Sequence, residues 1–367
     1  MLRVFNVVGA RPNFIKIAPI LKEMFSYPDL IDPVLINTGQ HYDQEMVDFF
    51  FADLDIPKPD ISLGVGSGSH AQQTAKVMME FEPVCLEREP DLILVVGDVN
   101  STLACSLVGS KLGIKIAHVE SGLRSFDRAM PEEINREVTD LLSDFLFTTS
   151  SEARDNLSRL GIPEDRVFFV GNVMIDSLNL NMPRARQRTI IKDLGLQNTD
   201  FSLMTLHRPS NVDDYEIFSR LLGAIDKIQK RIKLIFPAHP RTVKNIEKLG
   251  LSKKVAKMKN LQIVSPLGYL DFLALMDKSK FVLTDSGGLQ EETTVLGVPC
   301  LTLRKNTERP VTITVGTNIL VGLDADRIVE EADKALNGKA KMGSIPPLWD
   351  GYASQRIVKN LIEQFSD

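Results

Sequence analysis

Residues 281–296 read FVLTDSGGLQEETTVL, and the fold is decided in this stretch. An apolar run, 281–283, is followed by Thr284-Asp285-Ser286 and the pair Gly287-Gly288. A helix-permissive segment then ends near Leu296, ahead of Gly297 and Pro299. A strand, a glycine turn and a helix in immediate succession belong to a parallel α/β sheet. The same geometry makes an anion site, because a helix start presents free backbone N–H groups and the glycines keep side chains out of the way. Glu292, one turn on, is placed to hold the paired hydroxyls of a ribose. Ser286, Gly287, Gly288 and Glu292 therefore read as half of a nucleotide-sugar site, whose other half lies elsewhere in the chain.

Outward from this stretch, short apolar runs alternate with longer amphipathic segments. Runs at 4–8, 33–36, 92–96, 114–119, 145–147 and 167–170 form one set, and runs at 202–206, 234–236, 262–264, 281–283 and 300–303 a second. Helical patterns lie between them, at 15–24, 71–87, 215–228 and 270–276 among others. The alternation predicts an α/β protein with parallel sheets covered by helices on both faces. The polar segment 182–200 separates the sets and places a domain boundary near 171–183. The last segment, 353–365, is helical in pattern and follows the loop IPPLWDG, 345–351, whose Trp349 should pin it down.

A chain of 367 residues suits two domains that each bury a core. Its 43% hydrophobic and 25% charged content is that of a soluble globular protein. A net charge of −5 without a basic run argues against nucleic acid as a partner. Cys85, Cys105 and Cys300 lie far apart with no Cys/His cluster, so neither zinc nor a disulfide framework is indicated and core packing is the simplest role. The apolar start of the chain reads better as a strand than as a signal peptide, and no run approaches membrane-spanning length. Both features predict a cytoplasmic protein with no membrane partner.

In open parallel sheets, ligands bind beyond the carboxyl ends of the strands. The unusual polar clusters fall at such ends: GARP (9–12), GDVN (97–100), HVESG (118–122), HRP (207–209), HPR (239–241) and the opening motif. Their shared location in two domains points to one cleft between facing sheet edges.

Each cluster has a plain alternative. Arg11 offers a fork to phosphate oxygens, with Lys16 as a second positive charge, yet a surface arginine after an ordinary turn fits equally. No G-x-G-x-x-G is present, so the dinucleotide fingerprint is missing. Asp98 is either an acid/base or electrostatic group, or a helix N-cap competing with Asn100, Ser101 and Thr102. In HVESGLRSFDRAMPEEINR, 118–136, Pro131 suits the first helical position. Glu132 and Glu133 suit the first turn, so helix-start chemistry explains them as well as function does. Glu120 resists that account: a charged group straight off a buried strand must be paired or functional. His207, held in a loop by Pro209, Ser210 and Asn211, reads as functional. His239 is as readily a loop coordinator as a ligand contact. Arg309 either reaches a pyrophosphate or lies on a surface loop.

Together the motifs resemble the non-hydrolysing UDP-N-acetylglucosamine 2-epimerases. The carriers are GARPNFIKIAPI (9–20), NTGQHYD (37–43), GDVNSTLA (97–104), HVESGLR (118–124), MPEEINR (130–136), GN (171–172), LHRPSN (206–211), TDSGGLQEE (284–292) and NTERP (306–310). Each alone is weak; the combination, spread from Gly9 to Asn318, is specific. The resemblance implies two Rossmann-like domains facing a cleft in the GT-B arrangement. Residues 1–172 would carry the catalytic carboxylates, 173–350 would bind UDP, and 351–367 would form a helix returning to the first domain. It implies reversible epimerisation at carbon 2 between UDP-N-acetylglucosamine and UDP-N-acetylmannosamine, for cell-surface polysaccharide precursors. The route would be elimination of UDP to 2-acetamidoglucal and re-addition, with no cofactor and no metal, in a homodimer.

Carried over by motif, Asp98, Glu120 and Glu132 are the acidic catalytic groups and His207 a further essential residue. Arg11, Lys16, Ser286, Gly287, Gly288, Glu292 and Arg309 form the UDP site, with Phe272 near the uracil. Three departures stand out. Leu267 lies where members often carry Gln, leaving uracil to the backbone. Gln40-His41-Tyr42-Asp43 lies where many bacterial members carry a Q-H-x-Q motif for an activating second UDP-sugar. Ser121 replaces a common Ala. The neighbouring alternatives are a hydrolysing epimerase, an epimerase of a UDP-2,3-diacetamido sugar, a GT-B glycosyltransferase, and a non-catalytic sugar-nucleotide sensor or receptor.

Overall fold

The apolar runs become the strands of two parallel sheets. The structure, a computed structural model, describes residues 1–39 and 53–366, so the QHYD segment lies outside the described residues. By contacts the chain divides into two units, Met1–Leu180 with Pro347–Asp367, and Asn181–Pro346.

In the first unit the strands are β1 (Leu2–Val8), β2 (Ile31–Asn37), β3 (Ile61–Ser62), β4 (Leu92–Val96), β5 (Lys115–Ser121), β6 (Phe145–Thr148) and β7 (Val167–Phe169). They pair in parallel in the order β3-β2-β1-β4-β5-β6-β7. In the second the strands are β8 (Phe201–Thr205), β9 (Lys233–Pro237), β10 (Leu261–Val264), β11 (Val282–Thr284), β12 (Cys300–Thr302) and β13 (Asn318–Leu320). Their parallel order is β10-β9-β8-β11-β12-β13. The LILVV run of β4 is buried along its whole length, as expected of a strand covered on both faces. Each sheet reverses its strand order once, between β1 and β4 and between β8 and β11. Loops leaving the strands there diverge, which is where an open α/β sheet makes room for a ligand.

Two strands escape a reading based on apolar runs. β3 is only a residue pair, and β13 starts with the buried Asn318. The Asn318 amide accepts from Thr302 Oγ1 at 2.6 Å and donates to Gln290 Oε1 at 2.9 Å, so a polar ladder replaces the hydrophobic signal. Cys85 and Cys105 pack with Phe5, Phe81 and Ile93 in the core of the first unit, and Cys300 is buried in the second. Burial pushes the Cys85 thiol up to about 12 and the Cys300 thiol up to about 11, so both stay protonated and pack as small apolar residues. Among the described residues no helix is long and apolar enough to cross a membrane.

The C-terminal helix, Ala353–Gln364, packs back on the first unit, against the helix Arg11–Met24. Its start is held by Asp176, whose carboxylate accepts from Ala353 N at 3.1 Å and Ser354 N at 2.7 Å. The preceding loop is anchored by Trp349, fully buried, whose indole N–H donates to Thr149 O at 2.9 Å. The contact division at 180/181 and 346/347 differs from the expected boundaries at 172/173 and 350/351 by eight and four residues. The helix Val173–Ala185 runs through the first division, and Trp349 draws its own loop into the first unit.

Trp349→Ala removes this anchor and should lower the stability of the first unit by about 3–5 kcal/mol. The readout is the urea midpoint followed by circular dichroism; an unchanged midpoint would mean that the loop is held by something else.

Candidate functional site

At the switch point of the first sheet, loops come off β1, β4 and β5. Asn13 joins the first two: its Oδ1 accepts from Ala10 N at 3.0 Å and Gly9 N at 3.3 Å, and its Nδ2 donates to Val96 O at 2.8 Å. Lys16, nearly one turn along the same helix, is buried and its ammonium pairs with the equally buried Glu120. The pair lies against Gly97, where φ is +69°. A Cβ at Gly97 would stand 2.8 Å from Lys16 Nζ and 3.3 Å from Glu120 Oε2, so only glycine suits both the conformation and the approach. Glu120 itself has φ +71°, and the register of β5 on β6 slips between Val119 and Ser121. A left-handed non-glycine residue costs about 1–3 kcal/mol. The bulge re-aims its side chain, and strain of this kind clusters at functional positions.

Asp98, with 28% of its side chain exposed, accepts from Arg136 NH1 at 2.6 Å, and its backbone carbonyl accepts from Asn135 Nδ2 at 2.9 Å. The helix Asn100–Leu112 has Val99 at its N-cap and no side-chain cap bond, so capping does not describe Asp98. Arg136 also donates to Glu133 at 2.9 Å. Glu133, fully buried, accepts from Ser125 N, Ser125 Oγ and Phe126 N at 2.9, 2.7 and 3.0 Å. Glu133 is thus committed to holding the loop ahead of the helix Pro131–Leu142. Its neighbour Glu132 is half-buried and has no hydrogen-bond or ion-pair partner among the described residues. Arg11 opens the helix Arg11–Met24, and its side chain lies outside what the structure describes.

At the switch point of the second sheet, His207 after β8 meets Asp285 after β11. The imidazole Nδ1 lies 2.8 Å from Asp285 Oδ1, while half of the His207 side chain is exposed. Asp285, fully buried, also accepts from His207 N at 3.0 Å, Arg208 N at 2.9 Å and Asn211 Nδ2 at 3.1 Å. Burial would push the Asp285 carboxyl up, but the His207 ring and the backbone amides of Arg208 and His207 outweigh it and hold the group below the usual carboxylate range. A carboxylate on Nδ1 fixes the ring and turns Nε2 outward, as a proton-transfer histidine requires.

Beside this dyad the helix Gly288–Leu296 begins at Gly287. A Cβ on Gly287 would stand 2.6 Å from Glu308 Oε1 and 2.7 Å from Arg309 NH1, so the glycine lets a buried charge cluster approach the helix start. In that cluster Arg309 pairs with Glu308 and, at 2.8 Å, with Glu291, and Arg304 bonds Glu308 at 2.6 Å. Arg309 is buried among these partners, not on a surface loop. Glu292 accepts from Tyr269 OH at 2.9 Å. Burial pushes the Tyr269 phenol well up, and the Glu292 charge adds to that, so the donor stays neutral. Phe272, one turn from Tyr269 on the helix Tyr269–Lys278, is half-buried. His239 Nδ1 accepts from Arg241 N at 3.2 Å, capping its own helix Pro240–Lys248.

The first unit therefore brings Lys16, Gly97 and Glu120 together, with Asp98 on the next residue, and the second brings His207 to the Ser286–Gly288 loop through Asp285. Asn13 and Asp285 carry no role in the sequence reading, and Arg136 stands there only among the crowded charges of 118–136. For Asp285 a signal was available: an acid straight after a buried apolar run, the test that singled out Glu120. Among the described residues no group of three or more His, Cys, Asp or Glu side chains is arranged to hold a metal ion.

A sequence model of the UDP-N-acetylglucosamine 2-epimerase family matches residues 27–362. The chain belongs to this family. It is 42% identical over 367 residues to a UDP-N-acetylglucosamine 2-epimerase of Methanococcus maripaludis, covering 99% of this chain and 98% of that one. It is also 42% identical over 364 residues to a UDP-2,3-diacetamido-2,3-dideoxy-D-glucuronate 2-epimerase of Pseudomonas aeruginosa, covering 98% of this chain and 99% of that one. The crystal structure of the Methanocaldococcus jannaschii UDP-GlcNAc 2-epimerase in complex with UDP-GlcNAc and UDP superposes with a TM-score of 0.91 at 41% identity, covering 99% of this chain and all of that one. The fold class is the GT-B-like one of this family, as the resemblance implied.

Because Asp285 is held below its ordinary value, its charge stabilises the fold at pH above about 4, the unfolded value, and the contribution is lost as pH falls through the lower folded value. Asp285→Asn should be less stable than the native protein at neutral pH, with the gap closing below about pH 4. An equal gap in thermal midpoint at both ends of that range would contradict the assignment.

Proposed function

We propose that the protein interconverts UDP-N-acetylglucosamine and UDP-N-acetylmannosamine by reversible elimination of UDP, without hydrolysis. The observation that carries the reading is Glu120: a strained, buried carboxylate paired to Lys16 and placed one loop away from Asp98.

The hydrogen on carbon 2 is too weakly acidic to be removed from the intact substrate. Breaking the bond from carbon 1 to UDP sends the electron pair to the phosphate oxygen and leaves positive charge on carbon 1, which acidifies the neighbouring hydrogen. A carboxylate then takes that proton, carbon 1 and carbon 2 form a double bond, and bound UDP and 2-acetamidoglucal result. Return of a proton to the opposite face, with re-addition of UDP, gives the epimer. Proton transfer on two faces accounts for several acids: Asp98, Glu120 and Glu132 are the candidates, with His207, oriented by Asp285, for proton handling. The free N–H groups at the start of the helix Gly288–Leu296, with Arg309 and Arg11, would stabilise the leaving phosphate, and preorganised donors do so without reorganisation. Glu292, steadied by Tyr269, would hold the ribose, and Phe272 would pack near the uracil.

The Pseudomonas aeruginosa relative, as similar as the methanogen one, favours one second reading: the same chemistry on a UDP-2,3-diacetamido sugar. Incubation of each sugar nucleotide in deuterated water, followed by proton NMR, tests both. Deuterium at carbon 2 of UDP-N-acetylglucosamine, with UDP-N-acetylmannosamine formed, is the expected result. Free N-acetylmannosamine would mean hydrolysis, and exchange only on the diacetamido sugar would move the substrate.

Asp98→Asn and Glu120→Gln should each lower kcat by about 10²–10⁴-fold while UDP still binds. Full activity in both variants would remove the mechanism.

A further inference from the structure

His118 lies two residues before Glu120 on β5 and belongs to none of the groups assigned above. It is fully buried, and both ring nitrogens face oxygen acceptors. Nε2 lies 2.9 Å from Gly97 O, the carbonyl of the residue before Asp98. Nδ1 lies 2.7 Å from Asp140 Oδ1, on the helix Pro131–Leu142. Asp140 is also fully buried, and its Oδ2 accepts from Gly122 N at 3.2 Å and from Arg124 NH2 at 2.5 Å. The chain of bonds runs from the turn that carries Asp98, through the ring and the carboxylate, to the turn that carries Glu120.

Both turns are left-handed: Gly97, Glu120 and Gly122 have φ of +69°, +71° and +77°. The glycines adopt this freely, but Glu120 is strained, and a left-handed non-glycine residue keeps its conformation only where its surroundings over-determine it. Stability alone does not call for a buried His–Asp–Arg group, because replacing buried charges by well-packed apolar residues is often neutral or stabilising. The imidazole is a planar strut of fixed width, and it spans the gap between β4 and β5 where their loops part.

We propose that His118 is a positioning residue, a strut that sets the spacing between the Asp98 and Glu120 carboxylates. The inference rests on the reading that these two acids serve the proton transfer at carbon 2. It assigns to His118 no contact with substrate.

Two substitutions separate the ends of the strut. His118→Gln places an amide nitrogen where Nε2 stood and keeps a donor for Gly97 O. His118→Asn places one where Nδ1 stood and keeps a donor for Asp140 but gives up the bond to Gly97 O, leaving the Asp98 turn to the bonds from Gly97 N to Val119 O and from Arg136 and Asn135. With UDP-N-acetylglucosamine, His118→Asn should lose about 100-fold in kcat, the scale of an ångström-size misplacement, and His118→Gln should recover at least about tenfold of that. KM and UDP affinity, the latter by calorimetry, should stay within about twofold in both. Native kcat in both variants overturns the strut, as does loss of activity in step with loss of UDP binding or of folding, since His118 would then serve only the fold. A native protein that shows no carbon-2 exchange overturns the functional reading itself, and the strut with it.

Discussion

Lys16 and Glu120 are taken out of water together, and the carboxyl edge of the first sheet is built around that requirement. Either charge buried alone would leave an uncompensated ion, at a cost of about 3–5 kcal/mol when one partner is removed. The partners come from places far apart in the chain, a helix after β1 and a bulge ending β5, and they meet only because β4 lies between those strands in the sheet. Gly97, at the end of β4, leaves the space in which they touch. The neighbouring acids follow the same rule: Asp98 and Glu133 share Arg136, and Asp140 is shared by His118 and Arg124. Carboxylates held this way keep their orientation.

The second unit solves a different problem with similar means. At the helix start after β11, Arg309 is already oriented by Glu291 and Glu308, and Glu308 in turn by Arg304. Donors arranged before the charge arrives need no rearrangement when it does. Asp285 organises the adjoining loop by gathering backbone amides, an asparagine and the His207 ring onto one carboxylate.

How much of this was legible follows from what kind of signal each feature leaves in the chain. The α/β alternation was legible because strands buried on both faces are continuous apolar runs, as in LILVV of β4. β13 was not, because Asn318 replaces hydrophobic burial with a polar ladder that depends on Thr302 and Gln290. Within the site, Glu120 announced itself as a charge at the end of an apolar run. The pairing did not: Lys16 was read as a second positive charge for phosphate, and only the sheet order brings it to the bulge. The plain alternatives divided the same way. Capping describes His239, while Glu133 holds the loop ahead of its helix and Asp98 answers to Arg136. Partnerships across many residues are consequences of topology and leave no local trace.

The return of the chain after residue 346 sets an order of biosynthesis. The second unit is one uninterrupted stretch and has all its own residues once position 346 has been translated. The first unit has its whole sheet far earlier, yet it lacks the Trp349 anchor and the helix Ala353–Gln364 until the second has been made. During synthesis the face of the helix Arg11–Met24 that the last helix covers therefore waits while about 330 intervening residues emerge, roughly fifteen to sixty-five seconds at ordinary ribosome speeds. A segment made early is among the last to be sealed, and a nascent chain of this design has to keep that face out of trouble for the interval.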